Sequence, residues 1–150
     1  MSTPDFRPAR PEDFPAIRAL LMAEGLPSED VDVGQTGRFH VALLDGHLLG
    51  CVGLELYGAD ALLRSVAVAY GARHRGLGRN LVGIAERDAT LLGAHRLFLL
   101  TTSAADYFFR LGYQRFDRNA VPALLRDSSQ FSLLCPASAT CMMKSVAVRQ

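Results

Sequence analysis

The sequence is poor in several features that would indicate a particular class of protein. Its 150 residues contain only 3 cysteines, an odd number without framework spacing, as is typical of a reducing compartment. No apolar run approaches the roughly 18 to 20 residues that cross a bilayer. The net charge is +1, so we expect no general affinity for nucleic acid or for a membrane surface.

The remaining composition is that of a globular protein, with 49% hydrophobic and 21% charged residues. A chain of this length predicts a single domain, residues 1–150, with a sizeable core. The first residues, Met1 to Asp5, have neither a basic region nor an apolar core, so we expect no secretion signal. These features together predict a cytoplasmic, single-domain protein.

The most informative segment joins a β-branched strand, Val66–Val68, to the start of a helix. The connecting turn is basic and glycine-rich, and it consists of Arg73, His74, Arg75, Gly76, Leu77, Gly78 and Arg79. Glycine lets phosphates approach the backbone closely. The first N–H groups of a helix lack intrahelical partners and lie at the positive end of its dipole. Clustered cations are disfavoured at that end, so the turn predicts a bound polyanion.

Two other interpretations of the turn remain open. A dinucleotide-binding fold would need Gly-x-Gly-x-x-Gly near the chain start and an acidic residue about 20 residues further on. Gly71 and Gly76 do not have that spacing. The turn could also serve only to reverse the chain.

Periodicity and turn residues predict the order of the elements. The expected elements are a strand at 6–9, a helix from residue 10 to about 24, a polar loop at 26–37, strands at 39–44, 48–57 and 61–68, a helix at about 78–92, a strand at 95–102, a helix at 104–111 capped by Ser103, a strand at 113–116, a helix at 121–126 and a strand at 140–146. Asp45-Gly46 predicts a hairpin. The polar loop either covers an acceptor site or is an ordinary surface connection.

Two motifs resemble those of the GCN5-related N-acetyltransferases, the GNAT superfamily. Arg73-x-x-Gly76-x-Gly78 is similar to that family's pyrophosphate turn, and Ala105-x-x-Phe108-x-x-Leu111-Gly112-Tyr113 to a later helix. The resemblance implies an α/β (α+β) fold with a mixed sheet of six to seven strands, an antiparallel N-terminal meander and helices on both faces. It also implies acetyl-CoA as co-substrate. The turn would hold the pyrophosphate of acetyl-CoA. The backbone of Val66, Ala67 and Val68 would bind the pantetheine arm and stabilise the oxyanion.

Three sequence segments resemble one branch of that superfamily, the arsenic-resistance N-acetyltransferases. They are residues 62–68, 99–102 and 131–139, of which the last, containing Leu-Cys-Pro-Ala-Ser-Ala, is the most specific. This resemblance implies an arsenic- or phosphorus-containing amino acid as acceptor.

Acetyl transfer requires a neutral amine, so a base or a water chain must remove a proton from the ammonium. The family's usual glutamate position on the fourth strand is occupied here by Leu62. Glu55, a carboxylate in an apolar segment of the neighbouring strand, is the best replacement; it faces either the cleft or solvent. His40 and His47 are weaker candidates.

The leaving thiolate can be protonated by a general acid, and the family's usual tyrosine near the CoA sulfur corresponds here to Phe108. Tyr107 is adjacent but turned by about 100° on a helix. Ser103 or a bound water is the alternative. Because a thiol pKa is near 8.5, the thiolate also leaves without an acid, and the reaction is slowed rather than prevented.

Two arginines are candidates for binding an acidic group of the acceptor, because a guanidinium holds such a group at two points. Arg64 is the first choice, since strand parity puts it on one face with Val66 and Val68. Arg38 is the second; solvated strand-edge arginines are the alternative. The cysteines could bind arsenic as thiolates, but small buried residues are the simpler interpretation.

The sequence thus predicts an acetyl-CoA-dependent N-acetyltransferase acting on a small-molecule amine, as a monomer or homodimer and without a metal. Two alternatives remain: a non-catalytic acyl-CoA-binding module, which the missing glutamate and tyrosine would explain, and a protein lysine or N-terminal acetyltransferase. A closed pocket would count against the latter.

Overall fold

A computed structural model describes residues 3–73, 75–128, 131, 135–136 and 138–146. The strands and α-helices are, in order, β1 Asp5–Pro8, α1 Phe14–Ala23, β2 Phe39–Leu44, β3 His47–Tyr57, β4 Asp60–Val68, α2 Leu77–Leu91, β5 Arg96–Thr101, α3 Ala105–Arg110, β6 Gln114–Arg115, α4 Ala123–Arg126 and β7 Thr140–Ser145. Short 3-10 helices occupy Pro11–Asp13, Val33–Arg38, Tyr70–Ala72 and Arg118–Ala120.

The seven strands form a sheet in the order β1-β2-β3-β4-β5-β7-β6. β1, β2 and β3 pair antiparallel, as do β5, β7 and β6, whereas β4 and β5 are parallel. The predicted fold class, a mixed sheet of six to seven strands that begins with an antiparallel meander, is confirmed.

The chain divides into two compact units. The first comprises Met1–Leu54 and Ser65–Ala85, and the second comprises Glu55–Arg64 and Glu86–Gln150. The expectation of one domain over 1–150 stays a prediction.

The core of the first unit forms around the apolar stripe of α1. Phe14, Ile17 and Leu21 are completely buried, as the helical spacing predicts, and Phe14 meets Phe39 of β2 edge to face at 5.6 Å. The helix begins later than expected, at Phe14, after a 3-10 turn that Asp13 stabilises by accepting the Arg10 N–H at 2.7 Å.

Turn chemistry in the first unit follows the sequence closely. The β2–β3 hairpin closes through Asp45 (φ 51°) and Gly46 (φ 79°), the left-handed pair that a two-residue hairpin requires. The segment expected as a polar loop contains the 3-10 helix Val33–Arg38, which begins with Asp32 accepting the Gly34 N–H at 2.9 Å. Val31, just before it, is buried in the core.

The core of the second unit lies around β4, β5 and β7. Its buried members are Leu62, Phe98, Val121, Leu125, Phe131 and Cys141, and Tyr57, Leu100, Phe116 and Met143 pack against them. β5 is nearly continuous in apolar residues, as expected for a strand with a neighbour on each side. Its ladder with β4 runs only from Asp60↔Arg96 to Leu62↔Phe98.

No helix in the described part of the chain is both long enough and apolar enough to cross a membrane.

Candidate functional site

The first candidate site is the start of α2, in the first unit. The Asn80 N–H donates to the Gly76 carbonyl at 3.1 Å, which is the first bond of the helix. The amides of Leu77, Gly78 and Arg79 therefore precede the intrahelical ladder and lie at the positive end of the helix dipole. This arrangement can bind an anion through the backbone.

Gly76 has a conformation and surroundings that suit close approach of a ligand. Its φ is +74°, in the left-handed region that favours glycine, and among the described residues no atom beyond its chain neighbours lies within 4 Å of the position that a Cβ would occupy. Gly76, Arg75 and Arg79 are exposed, whereas Leu77 and Gly78 are buried, so the turn presents Gly76 and two cations to solvent. His74, the remaining predicted cation, lies outside the described residues.

Arg73 is the first residue of the turn and already has partners. Its guanidinium pairs with Glu24, at the C-terminal end of α1, and stacks over the Tyr70 ring at 5.1 Å from the centroid. The Arg73 side chain is 46% exposed. Arg73 is therefore held at the protein surface, where an anionic ligand would compete with Glu24 for it.

Gly50 of β3 leaves room for the start of α2 to lie close to the strands. A Cβ on Gly50 would lie 2.9 Å from Leu81 Cδ1 and 3.1 Å from the Ala67 carbonyl oxygen. Any side chain at this position would displace the helix or the strand, because the backbone carbonyl cannot give way. Gly50 thus lets the N-terminal end of α2 lie close against β4.

β4 is irregular just before the turn, and this overturns one expectation. Ser65 has φ +56° within the strand, and its carbonyl accepts the Cys51 thiol at 3.2 Å. The prediction that Arg64 shares a face with Val66 and Val68 was wrong, because the left-handed residue interrupts the alternation. Arg64 and Ala67 are buried, whereas Val66 and Val68 are only half-buried.

The second candidate site is a carboxylate cluster in the second unit. Glu55 Oε2 accepts from Arg64 Nη1 at 2.7 Å, and Glu55 Oε1 accepts from the Tyr57 hydroxyl at 2.5 Å. The Arg64 side chain is 0% exposed and that of Glu55 is 20% exposed. In this cluster the buried Arg64 guanidinium therefore binds the Glu55 carboxylate, which is still partly exposed to solvent.

Tyr57 completes this cluster and was missed by the sequence interpretation. Burial, and then its hydrogen bond to Glu55, raise the pKa of Tyr57 well above the usual 10.0. The signal was present, because residues two apart on a strand share a face. Arg64 contacts Glu55 here, and its predicted role toward an acceptor stays a prediction.

The residues predicted as general acids, Tyr107 and Ser103, lie in α3 and just before it. Tyr107 is half-buried and meets the buried Phe108 edge to face at 5.3 Å. Ser103 is exposed and does not cap the helix as expected; Ala104 is at the N-cap, and its N–H donates to Thr101 Oγ1 at 3.0 Å. The roles of these residues remain untested.

The other predicted residues are more dispersed. Arg38 is exposed and donates to the Gly37 carbonyl at 3.2 Å, His47 is exposed and His40 is half-buried. Cys51 and Cys141 are buried, and burial raises the pKa of the Cys141 thiol to about 11. Within the described residues, no group of three or more His, Cys, Asp or Glu could hold a metal ion.

Comparison with known proteins identifies relatives of the chain. The model of the Acetyltransferase (GNAT) family matches residues 3–113. An uncharacterized N-acetyltransferase of Chlorobaculum tepidum is 32% identical over 105 residues, 69% of this chain and 64% of that protein. An amino-acid acetyltransferase of Azotobacter vinelandii is 34% identical over 98 residues, 64% of this chain. The match spans only 23% of the Azotobacter protein, so less than two thirds of either relative is matched.

Solved structures share the fold. N-acetylglutamate synthase from Neisseria gonorrhoeae, complexed with coenzyme A and N-acetyl-glutamate, gives a TM-score of 0.85 at 22% identity, over 99% of this chain and 36% of that one. A Mycobacterium tuberculosis protein in complex with CoA gives a TM-score of 0.80 at 25% identity, over 94% of this chain and 98% of that one.

Proposed function

The chain belongs to the acetyltransferase (GNAT) family, and from that premise we propose that it transfers the acetyl group of acetyl-CoA to the amine of a small amino acid. The observation that carries the proposal is the start of α2. There, exposed Gly76 at φ +74° precedes three amides that lie before the first helical hydrogen bond. Similar structures with CoA bound support the choice of donor.

The donor would bind along β4 and the turn. The pyrophosphate accepts from the amides of residues 76–79, with Arg73, Arg75 and Arg79 supplying charge and His74 proposed from sequence alone. The backbone of Val66, Ala67 and Val68 meets the pantetheine arm, and one of its N–H groups stabilises the oxyanion. The ladder between β4 and β5 ends at Leu62, which supports this use of the later β4 backbone.

Glu55 is proposed to order the acceptor amine and take its proton. At neutral pH the amine is almost entirely ammonium, so one proton must leave before nitrogen attacks. The carboxylate suits this role because it is fixed from two sides and yet partly exposed. The CoA thiolate leaves with a proton from Tyr107, Ser103 or water, and Phe108 packs near the sulfur.

An amino acid is the acceptor class that the relatives favour. The Azotobacter relative carries the name amino-acid acetyltransferase, and the Neisseria structure contains N-acetyl-glutamate. An arsenic- or phosphorus-containing amino acid is the finer proposal, which rests on the sequence segments 62–68, 99–102 and 131–139. Because Arg64 is buried against Glu55, exposed Arg38 becomes the first choice for the acceptor's acidic group.

The proposal is tested by measuring CoA release with a panel of amino acids, including arsenic- and phosphorus-containing ones, and with a lysine peptide. Glu55→Gln is expected to lower the rate by roughly 10²–10⁴-fold if Glu55 is the sole base. Glu12→Gln, an exposed glutamate at the start of the first 3-10 helix, is the matched control. Tight acetyl-CoA binding without turnover would instead indicate a non-catalytic binding module. Turnover only with the lysine peptide would indicate a protein acetyltransferase.

A further inference from the structure

The Glu55 carboxylate is held by two different kinds of donor. Arg64 Nη1 lies 2.7 Å from Oε2, and the Tyr57 hydroxyl lies 2.5 Å from Oε1. An ionised carboxylate has about four acceptor positions, so these two contacts leave about two for an incoming group. The orientation of both oxygens is therefore set before any acceptor arrives.

The Tyr57 ring is itself firmly placed. It packs against the buried cluster that includes Leu62 and Phe98, and its hydroxyl interacts with Ser128. Ser128 is buried just after α4 and donates to the Leu125 carbonyl at 2.6 Å. The packed core thus holds the Tyr57 phenol in place, and the phenol in turn fixes the orientation of the Glu55 carboxylate, which is 20% exposed.

We propose that Tyr57 is a positioning residue of the acetyl transfer: its hydroxyl fixes Glu55 so that the remaining lone pairs of the carboxylate point at the acceptor ammonium. This rests on the proposed function and on the role given there to Glu55. Arg64 balances the negative charge of the Glu55 carboxylate, and the Tyr57 hydroxyl sets the direction in which its oxygens point. A carboxylate held in one rotamer loses no further side-chain entropy when the acceptor binds.

The proton balance leaves Tyr57 unchanged. The ammonium gives one proton to Glu55, and the neutral nitrogen then forms a bond to the thioester carbon while the C–S bond breaks. The second nitrogen proton replaces the one that Tyr107, Ser103 or water gives to the CoA sulfur, and Glu55 returns its proton to solvent. Because burial and Glu55 raise the pKa of Tyr57 well above its usual value, the phenol keeps its proton throughout.

Tyr57→Phe removes the hydroxyl and keeps the ring, so it tests positioning with little loss of packing. We expect kcat with an amino acid to fall about tenfold while KM for acetyl-CoA stays unchanged. Tyr113→Phe, which removes a hydroxyl that donates to a different carboxylate, Glu86, is the matched control, and kcat should stay as in wild type.

Two measurements separate positioning through Glu55 from a general structural effect. In the Glu55→Gln background, Tyr57→Phe should cause no further loss, because residues that act as a unit are not additive. The aminooxy analogue of the same amino acid, whose terminal nitrogen is uncharged at neutral pH, should be acetylated equally well by wild type and Tyr57→Phe. Multiplying effects, or an equal loss with the analogue, would overturn the proposal.

Failure of the proposed function would look different. If Glu55→Gln kept full activity, Glu55 would not be the base, whatever Tyr57→Phe did. If Tyr57→Phe did not fold, Ser128→Ala would decide, since it loosens the phenol without touching Glu55. A smaller loss of kcat, confined to the charged acceptor, supports positioning by Tyr57, and an unchanged kcat rejects it.

Discussion

The Tyr113 hydroxyl donates to Glu86 Oε2 at 2.8 Å, although the Tyr113 side chain is completely buried. The same carboxylate accepts from Lys144 Nζ at 3.1 and 3.0 Å, and Lys144 also donates to the Leu111 carbonyl at 2.9 Å. Glu86 of α2, Lys144 of β7 and Tyr113, which follows α3, thereby satisfy one another's hydrogen bonds inside the second unit.

Tyr113→Phe should therefore destabilise the protein, since it leaves one contact of Glu86 unmade at a buried position. We expect a loss of about 1–2 kcal/mol in the free energy of unfolding, measured by urea titration. Tyr70→Phe, at an exposed ring, is the control and should cost almost nothing. Equal unfolding midpoints for the two variants would show that the Glu86 contact contributes no net stability.

The positions of the elements were predictable because each depends on local residues. Asp45-Gly46 predicted the hairpin, and the pattern predicted a helix to about residue 92, where Gly93 has φ +97° just beyond Leu91. The apolar residues Phe14, Ile17, Leu20 and Leu21 repeat at helical spacing, and all but the half-buried Leu20 are completely buried in α1. Such signals are short-range, so they remain readable without knowledge of the tertiary fold.

The candidate site was less predictable, because its geometry depends on tertiary contacts. Nothing in the residue type indicates that Ser65 takes φ +56°, and this one residue invalidated the face assigned to Arg64. Ser103 is a favourable N-cap by residue type, but α3 begins one residue later, with Ala104 at the N-cap and its N–H bonded to Thr101 Oγ1. The ion pair of Glu55 with a buried Arg64 depends on how the strands are packed, which no local pattern specifies.

Gly76 provides a test of the anion site at α2. Gly76→Val adds a branched side chain to a backbone at φ +74°, and we expect it to weaken acetyl-CoA binding at least tenfold, about 1.4 kcal/mol, by calorimetry. Gly76→Asn separates conformation from space, because asparagine tolerates the left-handed region. Gly71→Val, at an exposed glycine without positive φ, is the control. Unchanged affinity in a folded Gly76→Val protein would contradict the assignment.

The pair between Glu24 and Arg73 predicts opposite effects for its two members. Arg73→Ala removes a cation from the turn and should weaken CoA binding about tenfold. Glu24→Gln releases Arg73 toward the phosphates, and because exposed ion pairs contribute at most about 1 kcal/mol, affinity should rise by up to about fivefold. Arg87→Ala, at an exposed site further along α2, is the control. Weaker binding in Glu24→Gln would mean that the pair organises the turn instead of competing for it.

Asp13 predicts how stability falls in acid. The Arg7 guanidinium, 2.7 Å from Asp13 Oδ2, holds the pKa of this carboxyl below its usual 3.8. The unfolded chain therefore binds the proton first, so the contribution of Asp13 is complete above about pH 4 and is lost as the pH falls further. Urea midpoints of Asp13→Asn should be lower at neutral pH and decline less in acid. Asp5→Asn, at an exposed aspartate, should follow the wild-type curve.

Cys141 predicts the opposite behaviour in alkali. Burial raises the pKa of its thiol from the usual 9.0 to about 11, so between these values the unfolded chain releases a proton that the folded chain keeps. Stability should fall as the pH rises through this range, and Cys141→Ala should flatten the decline. Because the thiolate is the form that attacks thiol reagents, the folded protein should be labelled first at half-buried Cys135 and only slowly at buried Cys51 and Cys141. Mass spectrometry of peptides follows this labelling. Fast labelling of Cys141 at neutral pH would contradict both its burial and its raised pKa, and would reopen arsenic binding through its thiolate.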